Sequence, residues 1–255
     1  MKITRAVVPS LFTVLNIFCG FRSVLHTADG DFILASWFII LAGIFDVLDG
    51  IMARITKSSS DFGVEFDSLS DVVSFGVAPS FLIYSLDLRL HQGLGMLISA
   101  MPMVFGALRL ARFNAQLVGY DKDYFRGLPI PASALTICSF VLTVYHPGFP
   151  LNALESSILS PVVIILSFLM VSKIKYDTFP KLSRKGIRQH PLRFTIGVIG
   201  LTIIVITRGS GLFPFMVFFV ATGPIRYLVQ FIQHSLRPAG KELEEKEGEM
   251  TSVDI

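Results

Sequence analysis

The chain has 255 residues, of which 52% are hydrophobic and only 16% are charged, and its mean hydropathy is +0.65. A soluble domain usually carries about 25% charged residues, so this composition argues against a soluble protein and predicts several membrane-spanning segments. The formal net charge of +3 is too small to indicate nucleic-acid binding by itself. Both cysteines, Cys19 and Cys138, lie inside apolar runs, which predicts buried, inert thiols rather than a disulfide framework.

The N-terminal segment has a basic start followed by an apolar run, which resembles a secretory signal peptide. We predict a retained first membrane span instead. The run is longer than the apolar region of about 7–15 residues in a typical signal peptide, and no clear small-residue cleavage site follows it.

Eight apolar segments follow one another along the chain, separated by breakers such as 28-ADGD-31 and 147-PGFP-150. Backbone groups in hydrocarbon must be satisfied within the segment, and the runs lack strict alternation, so we expect helices rather than barrel strands. The predicted fold class is therefore an all-α, polytopic membrane helix bundle. The predicted spans are roughly 8–25, 32–53, 68–87, 93–112, 131–146, 156–173, 193–207 and 211–234.

The positions of the basic residues predict the orientation of these spans. With the N-terminus in the cytoplasm and eight alternating spans, every Lys and Arg falls on the cytoplasmic side except Arg22, Arg89 and Arg208. This distribution obeys the positive-inside rule and places both termini in the cytoplasm. Residues 1–236 are predicted to form the membrane domain, and the charged segment 237–255 a poorly ordered tail.

Carboxylates cluster at the predicted cytoplasmic end of the second span. On a helix, Asp46, Asp49, Gly50, Ala53 and Arg54 have the spacing i, i+3, i+4, i+7 and i+8, so they share one face. The small residues leave room for a ligand, and the arginine supplies a fixed positive charge for a phosphate. This face is therefore a candidate binding surface.

A second acidic face is predicted at the start of the third span, where Gly63, Asp67 and Asp71 are four residues apart. A short loop joins the two faces, so the four aspartates can converge at the cytoplasmic interface. Such carboxylates repel one another unless a cation lies between them, and oxygen ligands suit Mg²⁺. Ordinary helix-end charge is the competing interpretation; we accept it for Asp61, which could cap the next helix.

The fixed positions of this pattern resemble the signature of the CDP-alcohol phosphotransferase family. The positions that match are Asp46, Asp49, Gly50, Ala53, Arg54, Gly63, Asp67 and Asp71. By this resemblance, Asp46, Asp49 and Asp67 hold one divalent ion, Mg²⁺ or Mn²⁺, and Asp46, Asp67 and Asp71 hold a second. The resemblance also makes Asp71 the general base. It further places Asp49, Gly50, Ala53 and Gly63 around the cytidine nucleotide.

The acceptor alcohol is indicated by three less specific segments, 10-SLFTVLNIFCGF-21, 108-LRLARFNAQ-116 and 125-FRGLPIPASA-134. Together they resemble the branch of the family that transfers a phosphatidyl group from CDP-diacylglycerol to L-serine. An arginine fork can bind the carboxylate of serine, so Arg109, Arg112 and Asn114 are the candidate acceptor residues, with positive-inside anchoring as the alternative.

Two further residues, Thr13 and Asn16, lie one turn apart in the first span. They could face the nucleotide or pair with a neighbouring helix. A homodimer, CDP-diacylglycerol and serine are the partners that the resemblance implies, with the site at the cytoplasmic face of the membrane.

Four other functions stay open from the sequence. Another family member could use glycerol phosphate or an inositol phosphate as acceptor, or an archaeal-type ether lipid as donor. An aspartate-rich prenyltransferase would also use Mg²⁺ and pyrophosphate. A cation transporter is disfavoured, because transport sites usually lie near the bilayer midplane.

Overall fold

The computed structural model describes residues 7–56, 60–116, 124–177 and 211–235. Within them the architecture is helical. The helices are α1 (Val7–Ala28), α2 (Phe32–Thr56), α3 (Asp61–Asp71), α4 (Ala78–Leu86), α5 (Gln92–Gln116), α6 (Ile130–Val144), α7 (Ala153–Val171) and α8 (Leu212–Ser235). A π-helical turn, Val72–Val77, joins α3 to α4, and a 3₁₀ turn, Leu88–His91, joins α4 to α5.

Six helical segments of the described chain are long and apolar enough to cross a membrane. They are Ser10–Ala28, Phe32–Thr56, Asp61–Leu86, Leu88–Ala115, Ala153–Val171 and Leu212–Gln233. The prediction of a polytopic helical membrane protein is therefore confirmed. The third segment begins several residues earlier than predicted, because α3 is continuous with α4 through the π-helical turn.

The eight-span count stays a prediction. The predicted fifth span falls on α6, which has only 15 residues and is shorter than the roughly 20 residues that a span needs. Most of α6 is nevertheless buried within the bundle, including Ile137, Cys138 and Val141. The predicted seventh span, 193–207, and the predicted tail, 237–255, lie outside the described residues.

Several polar side chains are buried inside this bundle together with its apolar core, while many other large apolar side chains lie exposed on its outside. Asn16, Ser36 and Ser74 are fully buried, whereas Phe18, Phe168 and other large apolar residues are exposed. This pattern suits a hydrocarbon solvent, in which helices associate through small residues and interhelical hydrogen bonds. The exposed apolar surface therefore faces lipid.

Helix α1 packs along α2 after a tight turn at 28-ADGD-31. Gly30 has φ +80°, which glycine adopts without steric cost. The Asp31 carboxylate accepts a hydrogen bond from the Leu34 backbone N–H at 3.3 Å and begins α2. His26 stacks on Phe38 across the two helices. The hairpin brings the N-terminal part of α1 beside the C-terminal part of α2.

The start of α3 is capped by Ser60, whose hydroxyl accepts a hydrogen bond from the Gly63 N–H at 3.1 Å. The expectation that Asp61 caps this helix is therefore wrong, because Asp61 is already in its first turn. The π-helical turn has a local cause as well. Pro79 has no N–H to donate, and in an α-helix its ring clashes with the carbonyl four residues earlier. The preceding residue, Ala78, donates its N–H to the carbonyl of Val73, five residues earlier, which is the hydrogen bond of a π-helix.

A short antiparallel strand pair departs from the all-helical prediction. Strands β1 (Tyr124–Arg126) and β2 (Lys175–Asp177) pair, with Phe125 opposite Tyr176. Gly127 follows β1 with φ +80°, and a Cβ there would meet the Met170 carbonyl at the end of α7. This close approach links the start of α6 to the end of α7. It also explains why a glycine stands at this position.

Tyr176 connects this strand pair to α8. Its side chain is buried, and its hydroxyl donates a hydrogen bond to the Val220 carbonyl at 3.1 Å. A Cβ on Gly223 would meet the Tyr176 ring, so glycine lets α8 approach. Burial raises the pKa of Tyr176 to about 12, so the hydroxyl stays protonated as a donor at neutral pH.

Candidate active site

Three carboxylates from two helices meet in one place. Asp46 lies on α2, and Asp67 and Asp71 lie one turn apart on α3. Each offers one carboxylate oxygen, and these oxygens all lie within 4.8 Å of one another. The structure thus brings together, as predicted, the acidic faces of the second and third spans. We call Asp46, Asp67 and Asp71 the acidic cluster.

The fourth aspartate, Asp49, lies one turn beyond Asp46 and is buried. Its carboxylate accepts a hydrogen bond from the hydroxyl of Thr13 on α1. Asp49 is outside the group of three whose oxygens converge. The structure therefore shows Asp49 held by α1, beside the acidic cluster.

Helix α1 also reaches the acidic cluster directly. The side-chain amide of Asn16 donates from Nδ2 to Oδ1 of Asp71, with a separation of 3.4 Å. Thr13 and Asn16 thus pair with a neighbouring helix, which was one of their two predicted roles. Each places a neutral hydrogen-bond donor on a carboxylate.

Two serines and a glycine fix the position of α1 against this site. Ser70 donates to the Thr13 carbonyl at 3.2 Å, and Ser74 donates to the Asn16 carbonyl at 2.9 Å. A Cβ on Gly20 would meet the backbone and side chain of Ser74. Only glycine allows the helices to lie this close. Sequence reasoning missed these three residues, although Gly20 lies one turn after Asn16 on the same face.

The donor set of the acidic cluster fits a hard divalent cation. All of its ligand atoms are oxygens, which Mg²⁺ and Mn²⁺ prefer. Oδ1 of Asp67 and Oδ1 of Asn16 are buried and have no hydrogen-bond partner among the described residues. Buried carboxylate oxygens are costly without compensation. A cation between the three carboxylates would supply it.

A basic residue, Arg109, interacts with the acidic cluster. It is buried on α5, and its guanidinium interacts electrostatically with Asp71. Of the three predicted acceptor residues, Arg109 is therefore the one for which an interaction with Asp71 is described.

The other two predicted acceptor residues contact different groups. The Arg112 guanidinium is exposed and donates to the Val171 carbonyl at the end of α7, at 3.1 Å. Asn114 donates from Nδ2 to Ser68 at 3.0 Å and to Glu65 at 3.3 Å. Arg112 thus braces α5 against α7, whereas Asn114 stays beside α3.

The predicted nucleotide residues lie on the ends of α2 and α3 next to the cluster. A Cβ on Gly50 would meet no atom within 4 Å, so this part of α2 borders open space. Arg54 is exposed, and its Nε donates to the Gly50 carbonyl at 2.8 Å. Ala53 is partly buried on the same helix, and Gly63 packs against its capping serine. There is room beside Gly50 for a ligand.

Comparison with known proteins agrees with this geometry. The profile of the CDP-alcohol phosphatidyltransferase family matches residues 6–176, which include α1 to α7 and the whole acidic cluster. The chain belongs to the CDP-alcohol phosphatidyltransferase family. The family resemblance of the aspartate motif is thereby confirmed.

Three relatives of this chain carry the names of enzymes. A CDP-diacylglycerol–serine O-phosphatidyltransferase of Helicobacter pylori is 37% identical over 225 residues, 88% of this chain and 92% of the relative. The Bacillus subtilis protein of that name is 35% identical, covering 68% of this chain and 92% of the relative. An archaetidylserine synthase of Methanothermobacter thermautotrophicus is 41% identical, covering 69% and 72%.

Proposed function

We propose that this protein transfers a phosphatidyl group from CDP-diacylglycerol to the hydroxyl of L-serine and releases CMP. The observation that carries the proposal is the convergence of Asp46, Asp67 and Asp71 in a member of the family. The names of the relatives from Helicobacter pylori and Bacillus subtilis support serine as the acceptor.

In this proposal, two divalent ions share the aspartates. Asp46, Asp49 and Asp67 would hold one ion, and Asp46, Asp67 and Asp71 the other. When bound, such ions supply charge neutralisation at the pyrophosphate of the donor. The convergent oxygens of the acidic cluster support the second set. The hydrogen bond from Thr13 supports a fixed orientation of Asp49 in the first.

Asp71 is proposed as the general base. It takes the proton of the serine hydroxyl while the serine oxygen bonds to the lipid-side phosphorus, and the bond from that phosphorus to the CMP oxygen breaks. The hydrogen bond from the amide of Asn16 to Oδ1 of Asp71 supports a fixed orientation of this carboxylate. Arg109 is proposed to bind the serine carboxylate beside this base, since it interacts with Asp71 from α5.

The nucleotide is proposed to lie beside Asp49, Gly50, Ala53, Arg54 and Gly63. The open space at Gly50 supports this position. Thr13 and Asn16 would contribute indirectly, by holding the aspartates that face the nucleotide. Arg112 and Asn114 are also proposed to bind serine. For Arg112, the hydrogen bond to the end of α7 favours the alternative role of holding α5 against α7.

The proposed topology has eight spans, with both termini and the active site on the cytoplasmic side. The protein is proposed to form a homodimer. The basic residues near the ends of the spans support this orientation. A reporter that is active only in the cytoplasm should be active when it is fused after residue 235. A reporter that is active only outside the cell should be inactive at the same position. A fusion that works only outside the cell would overturn the orientation.

The function is tested with the purified full-length protein, labelled serine and CDP-diacylglycerol. Label should enter lipid, and one CMP should be released for each phosphatidylserine formed. Transfer to glycerol phosphate or an inositol phosphate, with none to serine, would overturn the acceptor. Release of pyrophosphate instead of CMP would indicate prenyl transfer.

An ether lipid donor is the second candidate, because the archaetidylserine synthase is 41% identical over 178 residues. The same assay with a CDP-activated archaeal ether lipid separates the two donors. We expect the ester donor to give the larger kcat/KM, since the Helicobacter pylori relative matches over 88% of this chain. The opposite order would favour the archaeal-type reaction.

A further inference from the structure

We propose that Glu65 on α3, together with Asn114 on α5, binds the ammonium group of the acceptor serine. This inference rests on the proposed function, because it assigns the part of the substrate that distinguishes serine from other alcohols. Glu65 lies between the fixed positions Gly63 and Asp67 of the aspartate motif but is not one of them, and no role for it follows from that motif.

The first observation is the hydrogen bonding of Asn114. Its side-chain NH₂ has two protons, and they are directed to two partners on α3, Ser68 at 3.0 Å and Glu65 at 3.3 Å. Its Oδ1 is buried and has no hydrogen-bond partner among the described residues. Oδ1 of Asn114 is therefore an available hydrogen-bond acceptor next to the carboxylate of Glu65. An ammonium group can donate hydrogen bonds to both groups.

The second observation is the charge of Glu65. Its carboxylate is exposed, and among the residues whose side chains are described it forms no ion pair. Its described polar side-chain contact is the neutral amide of Asn114. An exposed carboxylate can accept a cationic partner at little desolvation cost. The substrate ammonium is such a partner and arrives only with the acceptor.

The third observation is the order of the groups along α3. Glu65, Ser68 and Asp71 follow one another at intervals of three residues, so they lie along one inclined i, i+3, i+6 row of α3, with a rise of about 9 Å and a rotation of about 120° around the helix. Two hydrogen bonds of about 2.8 Å with an amino alcohol between them cover roughly this distance. Serine can therefore place its hydroxyl at Asp71 and its ammonium near Glu65, with its carboxylate toward Arg109.

This arrangement also rejects the wrong acceptors. Serine is a zwitterion and needs both a cation and an anion in its pocket. Glycerol phosphate and inositol phosphate carry only negative charge, so Glu65 would repel them. Glu65 is thus a specificity residue rather than part of the phosphoryl-transfer machinery.

The experiment compares Glu65→Gln with a matched control, Asp61→Asn, in the full-length enzyme. Asp61 is an exposed carboxylate one turn earlier on α3, and no contact between it and Asn114 is described. We expect Glu65→Gln to raise the KM for serine at least tenfold. The KM for CDP-diacylglycerol and kcat at saturating serine should stay within twofold. Asp61→Asn should match the unchanged enzyme in all three constants.

A second acceptor separates recognition from structure. Glycerate has a hydroxyl where serine has its ammonium. The unchanged enzyme should use serine at least tenfold better than glycerate in kcat/KM, and Glu65→Gln should reduce this ratio toward one. Equal losses with both acceptors, or an unchanged serine KM, would overturn the inference.

The remaining outcomes are decisive as well. If Glu65→Gln does not fold, the serine-to-glycerate ratio of the unchanged enzyme decides, and a ratio near one overturns the inference. If the unchanged enzyme transfers nothing to serine but uses another alcohol, the proposed function fails. If it uses serine and Glu65→Gln behaves like Asp61→Asn, only the role of Glu65 fails.

Discussion

Asn16 on α1 donates a hydrogen bond to Asp71 on α3, although the two residues are 55 positions apart in the chain. Asn16 is fully buried, and its neighbour Thr13 makes an equivalent contact with Asp49. One helix therefore orients carboxylates from both acidic faces. Both contacts come from the N-terminal half of α1, within one turn of each other.

Replacing Asn16 by Ala should lower kcat by about 10- to 100-fold, because a hydrogen bond to a charged group contributes about 1.5–3 kcal/mol. The KM for serine should change little, since Asn16 orients the base and does not bind the acceptor. Ser23→Ala is the matched control, because Ser23 is buried further along the same helix. Equal effects of the two changes on kcat would contradict the role of Asn16.

Replacing Asp71 by Asn should lower kcat by about 10²- to 10⁴-fold, the usual contribution of a general base. Binding of CDP-diacylglycerol should remain measurable, because Asp46 and Asp67 are kept. Initial rates and equilibrium binding of the donor check the two halves of this prediction. An Asp71→Asn protein with full lipid-forming activity would exclude Asp71 as the base.

Replacing Thr13 by Val removes the hydroxyl that donates to Asp49 and keeps the shape of the side chain. The Mg²⁺ concentration for half-maximal activity should rise about 10- to 100-fold, as is usual when a partner of a metal ligand is removed. Thr13→Ser keeps the donor and should restore the affinity. An identical metal dependence of the Val and Ser variants would show that this hydrogen bond is unimportant for the ion.

Two glycines should respond differently to a single methyl group. Gly20→Ala forces a Cβ against Ser74 and should destabilise the fold by about 1–3 kcal/mol. Gly50→Ala meets no atom within 4 Å and should leave the thermal unfolding temperature unchanged or higher. It should instead raise the KM for CDP-diacylglycerol. Thermal unfolding in detergent checks both, and an equal loss of stability would refute the difference.

Removing divalent ions with a chelator should abolish activity, because the three carboxylates repel one another without a cation. Added Mg²⁺ or Mn²⁺ should restore the rate, and Asp46→Asn should require a higher concentration of either ion. Activity that survives dialysis against a chelator would argue against a metal-dependent reaction.

Much of the site could be predicted from spacing alone. Residues four apart on a helix share a face, so the acidic faces with Asp46 and with Asp67 and Asp71 follow from the sequence. The contacts of Arg112 and Asn114 could not be predicted this way. The two residues lie close together on α5, yet Arg112 contacts the end of α7 and Asn114 contacts α3.

The sequence by itself determined the membrane class, the helical fold, the family motif and the four aspartates, three of which form the acidic cluster. Hydrocarbon demands helices, and helical periodicity then decides which side chains share a face. Only the tertiary structure decided that α1 orients the aspartates, that Gly20 and Ser74 allow its approach, and that Glu65 lies beside Asn114. These contacts join distant parts of the chain. They depend on how helices pack and rotate against one another, which local spacing does not specify.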